Sequence, residues 1–187
     1  PAVLAPLPEP RGWRPLVRAD ERAIDWTRHD AAEVSRRVRS ADGVPGARAQ
    51  LYGEPCWLFD VQAASAAVLA RATSALPGAV LARRGPALLV RCAQGAVWLG
   101  HVRREGGLKL AAIDAFAGPA ARLPEWTLPL QHDDDEWDEL RYAEFGPPQA
   151  AVGWLEFDFH NGAVSERQAA RLVQALQQLR SRPVRVL

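Results

Sequence analysis

The chain has 187 residues, 48% of them hydrophobic, and a formal net charge of +1; that is enough apolar material for one or two packed cores. No stretch approaches the roughly 20 apolar residues a membrane helix needs, and the amino terminus lacks the basic-then-apolar layout of a secretory signal, so a cytoplasmic location is expected. Residues 1–118 carry 16 basic against 11 acidic groups and residues 119–187 carry 7 against 11, a balance weakly suited to an anionic ligand in the first part and too modest for a nucleic-acid footprint.

The chain opens on Pro1 and contains no methionine, which reads as a segment of a longer protein. Residues 1–17, with five prolines in the first 15, read as an extended linker from an upstream domain. The stretch from Ile24 to Asp60 is the organising unit. Asp30 is placed to cap a helix whose apolar positions Ala31, Val34 and Val38 fall at helical spacing, with Arg36, Arg37 and Arg39 facing water. Val44-Pro45-Gly46 re-aims the backbone, and Arg48–Tyr52 and Cys56–Asp60 form a hairpin around Gly53-Glu54-Pro55. Val61–Ser74 fits either a loop or a loose helix. Ala79–Arg83, Ala87–Arg91 and Ala96–Val102 read as three further strands, and Leu108–Ala117 closes a domain spanning 18–118. Five short strands and one helix suit a small closed or partly closed β-barrel of OB type.

Residues 119–148, Pro-rich and carrying the run His132-Asp133-Asp134-Asp135-Glu136, read as an acidic interdomain linker. From 149 to 187 a second domain starts. A strand at Ala151–Phe159 leads through the turn His160–Ala163 to a capping box at Ser165 and Gln168. A helix over Glu166–Arg180 and a strand over Val184–Leu187 follow. This is the truncated opening of a βαβ unit, which cannot bury its faces alone. The fold class is therefore α+β.

No catalytic motif is present. The four histidines lie far apart, and the zinc, disulfide-exchange, nucleophile-elbow and phosphate-loop patterns are missing. Cys56 and Cys92 sit in apolar strand patterns and read as buried thiols rather than a disulfide or metal pair. The His132–Glu136 run reads as a solvated charged loop, because hard-cation loops need spaced ligands and a turn glycine. His101 follows Trp98 by three in a strand, so the two point to opposite faces, one inside and one at the surface. A structural or interfacial role for His101 is favoured over a catalytic one.

Ile24-Asp25-Trp26 and Pro45-Gly46-Ala47, with the strand cores at Val80–Ala82, Leu88–Val90 and Ala96–Leu99, resemble the C-terminal barrel of the 10-formyltetrahydrofolate-dependent formyltransferases. Adding Asp42–Gly46, Pro55–Asp60, Trp98–His101 and Leu108–Leu110, the chain is similar to the middle of the hydrogenase maturation factors that fuse a formyltransferase-like half to an enoyl-CoA hydratase (crotonase) half. The tail Val152–Ser165 resembles the first strand and helix start of that second half. The resemblance implies a two-headed enzyme that passes a formyl group from 10-formyltetrahydrofolate to coenzyme A and releases carbon monoxide for NiFe-hydrogenase maturation. Its partners would be the upstream formyltransferase domain, the downstream crotonase domain and the hydrogenase maturation machinery. Both catalytic centres would lie outside these residues, so no catalytic or metal residue is assigned. Asn161, Gly162 and Ala163 are the candidates to line the CoA groove, against the alternative of a plain turn feeding the Ser165 cap. The competing readings are the tRNA-binding barrel of a methionyl-tRNA formyltransferase, for which one lysine and a mild positive charge are poor equipment, and a scaffold without ligand.

Overall fold

The computed structural model describes residues 18–41, 43–71, 74–132, 136–147, 150–158, 164–180 and 185–186. The Asp30 carboxylate accepts the Glu33 amide and starts helix α1 (Ala31–Ser40), satisfying one of the donors that a helix start leaves orphaned. Val34 and Val38 are buried on its inner face. Five strands follow the pattern read from sequence, β1 (Ala47–Leu51), β2 (Glu54–Ala63), β3 (Val80–Arg84), β4 (Ala87–Arg91) and β5 (Ala96–Arg104), and a sixth, β6 (Lys109–Ala111), forms within the segment expected only to close the domain. All pair antiparallel in the order β1-β2-β5-β4-β3, and β6 continues beside β5 where β4 ends. The segment left open between loop and helix resolves into the end of β2 and a short helix, α2 (Ala66–Ala70), capped by Ser65.

The apolar runs in β4 and β5 are continuous because both faces of the sheet are covered. Leu88, Val90, Val97 and Leu99 enter one core with Trp26, Val34, Val38 and Phe116. Their neighbours Ala87, Leu89, Ala96 and Trp98 enter a second core with Val68 and Trp137. The antiparallel strands expected of a closed or partly closed barrel are present, and among the described residues no pairing joins the outer strands β1 and β3, so the sheet is not fully closed. The reason is this second core, which lets helices and loops cover the sheet instead of the sheet covering itself.

The segment expected as a linker is threaded into the fold. After the short helices α3 (Ala112–Ala115) and α4 (Ala117–Ala120), the chain runs along β3. There Arg83 N donates to Pro124 O at 3.0 Å and Trp126 N to Arg83 O at 2.9 Å. Glu136, expected in a solvated loop, is buried, as are Trp137, Asp138 and Glu139. Strand β7 (Leu140–Phe145) then pairs antiparallel with β8 (Val152–Phe157). Proline and acidic content signalled a loop, and tertiary partners too distant in sequence for any local pattern to show overrode that signal.

Helix α5 (Glu166–Leu179) opens with the expected reciprocal Ser165–Gln168 capping box, and β9 (Arg185–Val186) returns parallel to β8. The strand-helix-strand order is as read from sequence. No described helix is long and apolar enough to cross a membrane.

Candidate functional site

Two buried polar clusters and one cleft lie where the six-stranded sheet meets the strand-helix-strand unit. The first cluster centres on Arg84 at the end of β3 and Glu136, 2% and 1% exposed. Arg84 Nη1 donates to Glu136 Oε1 at 2.8 Å and to Trp137 O at 2.6 Å, and Arg84 Nε to Trp126 O at 2.6 Å. The Trp98 indole N–H donates to the same carboxylate, and the guanidinium lies 4.2 Å from the Trp98 ring centroid. Glu136 Oε2 accepts Ser65 N at 2.7 Å, placing a negative charge at the start of α2. A charge this deep is tolerated only when paired and hydrogen-bonded, and here β3, β5, α2 and the acidic segment all contribute partners.

The second cluster holds α5 to the sheet. Arg171 donates to Glu139 and, through Nη2, to both oxygens of Asp138 at 3.2 Å; Gln168 Nε2 donates to Glu139 Oε2 at 3.2 Å. Gly85 makes this approach feasible. Its φ is +51°, and a Cβ there would stand 2.7 Å from Arg171 Nη1 and 2.9 Å from Glu139 Oε1. One guanidinium serves two carboxylates. Burial works against the Arg171 charge, but Asp138 and Glu139 outweigh it and hold the pKa above its usual value. Burial pushes the Glu139 carboxyl up, and the shared arginine offsets this only in part. Burial likewise raises Asp158, which accepts the Trp137 indole N–H at 3.0 Å.

A cleft of about 270 Å³ lies between β5–β6 and the start of α5, lined by His101, Lys109, Asp114, Glu139, Ser165 and Arg167 among others. Arg167 Nη2 reaches Asp114 Oδ1 at 3.3 Å. His101 Nδ1 lies 3.1 Å from Asp60 Oδ2, and Asp60 holds a left-handed φ of +53°, uncommon for a residue with a Cβ. Trp98 is fully buried whereas His101 is only partly so, as their opposite facing predicts. The structure thus gives His101 an interfacial place beside Asp60.

Asn161, Gly162 and Ala163 lie outside the described residues. Their described flanks Asp158 and Ser165 are tied to the second cluster: Asp158 N donates to Glu139 O at 2.7 Å, and Ser165 N donates to Gln168 Oε1 at 3.0 Å. Cys56 and Cys92 are free and buried, and burial pushes both thiols up to about 12, which removes thiolate chemistry at neutral pH. Among the described residues no group of three or more His, Cys, Asp or Glu is placed to hold a metal ion. Sequence reasoning missed Arg84, Glu136, Glu139 and Arg171. The one local signal was Trp137, an aromatic anchor directly after the acidic run.

The formyl transferase C-terminal domain family matches residues 16–120. The hydrogenase maturation factor HoxX of Bradyrhizobium diazoefficiens is 36% identical over 172 residues, covering 91% of this chain and 28% of that protein. The methionyl-tRNA formyltransferase of Paraburkholderia phymatum is 32% identical over 118 residues, 62% of this chain and 34% of that one. Among solved structures, HypX from Aquifex aeolicus in complex with tetrahydrofolic acid superposes with a TM-score of 0.80 at 27% identity, covering 92% of this chain and 30% of that chain. The chain thus spans about a third or less of the proteins it matches. With more than half its length inside the family match, and with the HoxX and HypX similarity running well past that match, the chain belongs to the formyl transferase C-terminal domain family.

Proposed function

We propose that this chain is the connecting segment of a HypX/HoxX-type hydrogenase maturation factor, holding a formyltransferase half and a crotonase half in fixed relation. The observation that carries the reading is the extent of similarity. The HoxX match covers 91% of the chain, past residue 120 into the strand-helix-strand unit, whereas the methionyl-tRNA formyltransferase match covers 62%. On this reading β8, α5 and β9 open the crotonase domain. The whole protein, in the cytoplasm, passes formyl from 10-formyltetrahydrofolate to coenzyme A and releases carbon monoxide from formyl-CoA for the NiFe hydrogenase. Asn161, Gly162 and Ala163 line part of the CoA groove, and the two catalytic centres belong to the flanking halves. The two buried clusters support the connecting role, because a rigid joint keeps two active sites at a constant separation.

The test is to assay the full-length protein and the 187-residue chain side by side for carbon monoxide, trapped on deoxyhaemoglobin, from 10-formyltetrahydrofolate and coenzyme A. Production by the full-length protein alone is expected. Production by the isolated chain would sink the assignment of the centres to the flanking halves, and tight tRNA binding by the chain in a gel-shift assay would favour the methionyl-tRNA formyltransferase reading.

A further inference from the structure

A pocket of about 500 Å³ opens on the outer face of β1 and β2, lined by Asp20, Arg22, Pro45, Gly46, Arg48 and Trp57 among others. That volume lies in the range of small-ligand sites, roughly 300–1,000 Å³. Strand register builds its wall. Arg48 stands opposite Trp57, and Trp57 opposite Arg103, so the three side chains share one face of the sheet in a row.

Each component is held in place. The Arg103 guanidinium lies 4.9 Å from the Trp57 ring centroid, and its Nη2 donates to Pro45 O at 3.0 Å, so one side of the indole is occupied by a pinned cation. At Gly46, with φ +91°, a Cβ would fall 2.5 Å from the Phe59 ring and 3.2 Å from Trp57 Cβ. The backbone therefore lies flat against the aromatic pair, and no side chain of residue 46 narrows the pocket. On the opposite rim the Arg37 guanidinium donates to the carbonyls of Glu21 and Ala23, fixing the turn that carries Arg22.

Arg22 lines this pocket, and its Nε is buried behind it with no hydrogen-bond partner among the described residues. A charged group partly withdrawn from water with an unmet donor is costly, and an anion in the pocket would compensate the guanidinium charge. Two arginines, an aromatic plate and one carboxylate around a cavity of this size match the parts of a nucleotide. Guanidinium forks suit phosphate oxygens, an indole face suits a heterocyclic base, and a carboxylate suits a ribose hydroxyl.

We propose that this pocket binds a mononucleotide, with the base on the Trp57 face away from Arg103, the phosphate between Arg22 and Arg48, and a ribose hydroxyl on Asp20. The pocket's limited volume of about 500 Å³ and the chain's near-neutral charge of +1 favour a small nucleotide over a nucleic-acid strand. The proposal does not depend on the formyl-transfer reading, which assigns no ligand to this face.

The test is isothermal titration calorimetry of the 187-residue chain with ADP, adenosine and inorganic pyrophosphate. ADP is expected to bind about tenfold or more tightly than either part alone. Arg22→Gln and Arg48→Gln are each expected to weaken ADP about tenfold, the scale of a lost charge-assisted hydrogen bond. Trp57→Leu should weaken ADP and leave pyrophosphate unchanged, and Arg36→Gln, on a side chain 72% exposed on α1, should change neither. If Trp57→Leu fails to fold by circular dichroism, Trp57→Phe, which keeps a ring, should retain most of the affinity, and the arginine variants carry the test. No ADP binding at millimolar concentration would overturn the site. Pyrophosphate binding as tightly as ADP would overturn the role of Trp57, and an RNA oligonucleotide binding a hundredfold more tightly than ADP would overturn the mononucleotide assignment.

Discussion

Replacing Glu136 by Gln keeps the shape of the side chain and removes its charge, taking the Glu136 carboxylate away from the Arg84 guanidinium, which is 2% exposed. Because both groups are buried, solvent screening offers no discount, and breaking one partner of such a pair costs about 3–5 kcal/mol. The substitution also weakens the bonds from the Trp98 indole and the Ser65 amide, which places the expected loss in the upper part of that range. With a urea m-value of about 2 kcal/mol/M, the unfolding midpoint should fall by roughly 2 M. Tryptophan fluorescence is a suitable probe, since Trp98, Trp126 and Trp137 all touch the cluster. The double replacement Arg84→Met with Glu136→Leu removes both charges and should recover most of the loss, as apolar replacement of buried pairs does. A midpoint shift under about 0.5 M for Glu136→Gln, which is the scale of an exposed ion pair, would refute the reasoning, and so would a double variant less stable than the single one.

Two further outcomes follow from the second cluster. Gly85→Ala would put a methyl into the space between Arg171 and Glu139 at a left-handed φ, and should cost about 1–3 kcal/mol, read as a lowered melting temperature together with faster amide exchange in α5. Glu139, raised above the ordinary glutamate value of 4.5 by burial, takes up its proton more readily folded than unfolded. Its contribution is therefore fully present at low pH and is lost as pH rises through the folded value. Glu139→Gln should flatten the fall of melting temperature with rising pH above about 4.5, and an unchanged slope would show that another group governs it.

The barrel-like part was legible because its signals are local. Asp30 before an apolar stripe and a Gly-Glu-Pro break between two β-rich runs each specify an element with only near neighbours; the helix starts where expected, while the hairpin turn tightens to Tyr52-Gly53 with Glu54 and Pro55 already paired in β2. In the second unit the Ser165–Gln168 capping box is equally local and also appears where expected. Residues 119–148 misled because their chemistry is tertiary. Glu136 finds Arg84 at a sequence separation of 52, and Glu139 finds Arg171 at 32. A carboxylate destined for burial is indistinguishable, in a single sequence, from the solvated ones beside it. Arg84 misled for the same reason: it opens an Arg-Gly-Pro turn, where an arginine is ordinarily solvated, and only the Trp98 ring 4.2 Å away and the carbonyls of Trp126 and Trp137 make its burial tolerable. Whether the barrel closes fully was not legible, because strand count says nothing of what covers each face.

The distance in sequence between Arg84 and Glu136 also sets an order on synthesis. When Arg84 has been made it has no Glu136 to meet, and at about 5–20 residues per second the sequence separation of 52 takes roughly 3–10 s to synthesise. Until then the pocket beneath Trp98 holds a cation without its anion, and helix α2 lacks the carboxylate that receives its first amide. The nascent sheet is therefore held short of its final packing until the acidic segment is made, and maturation of the first unit waits on the arrival of the second.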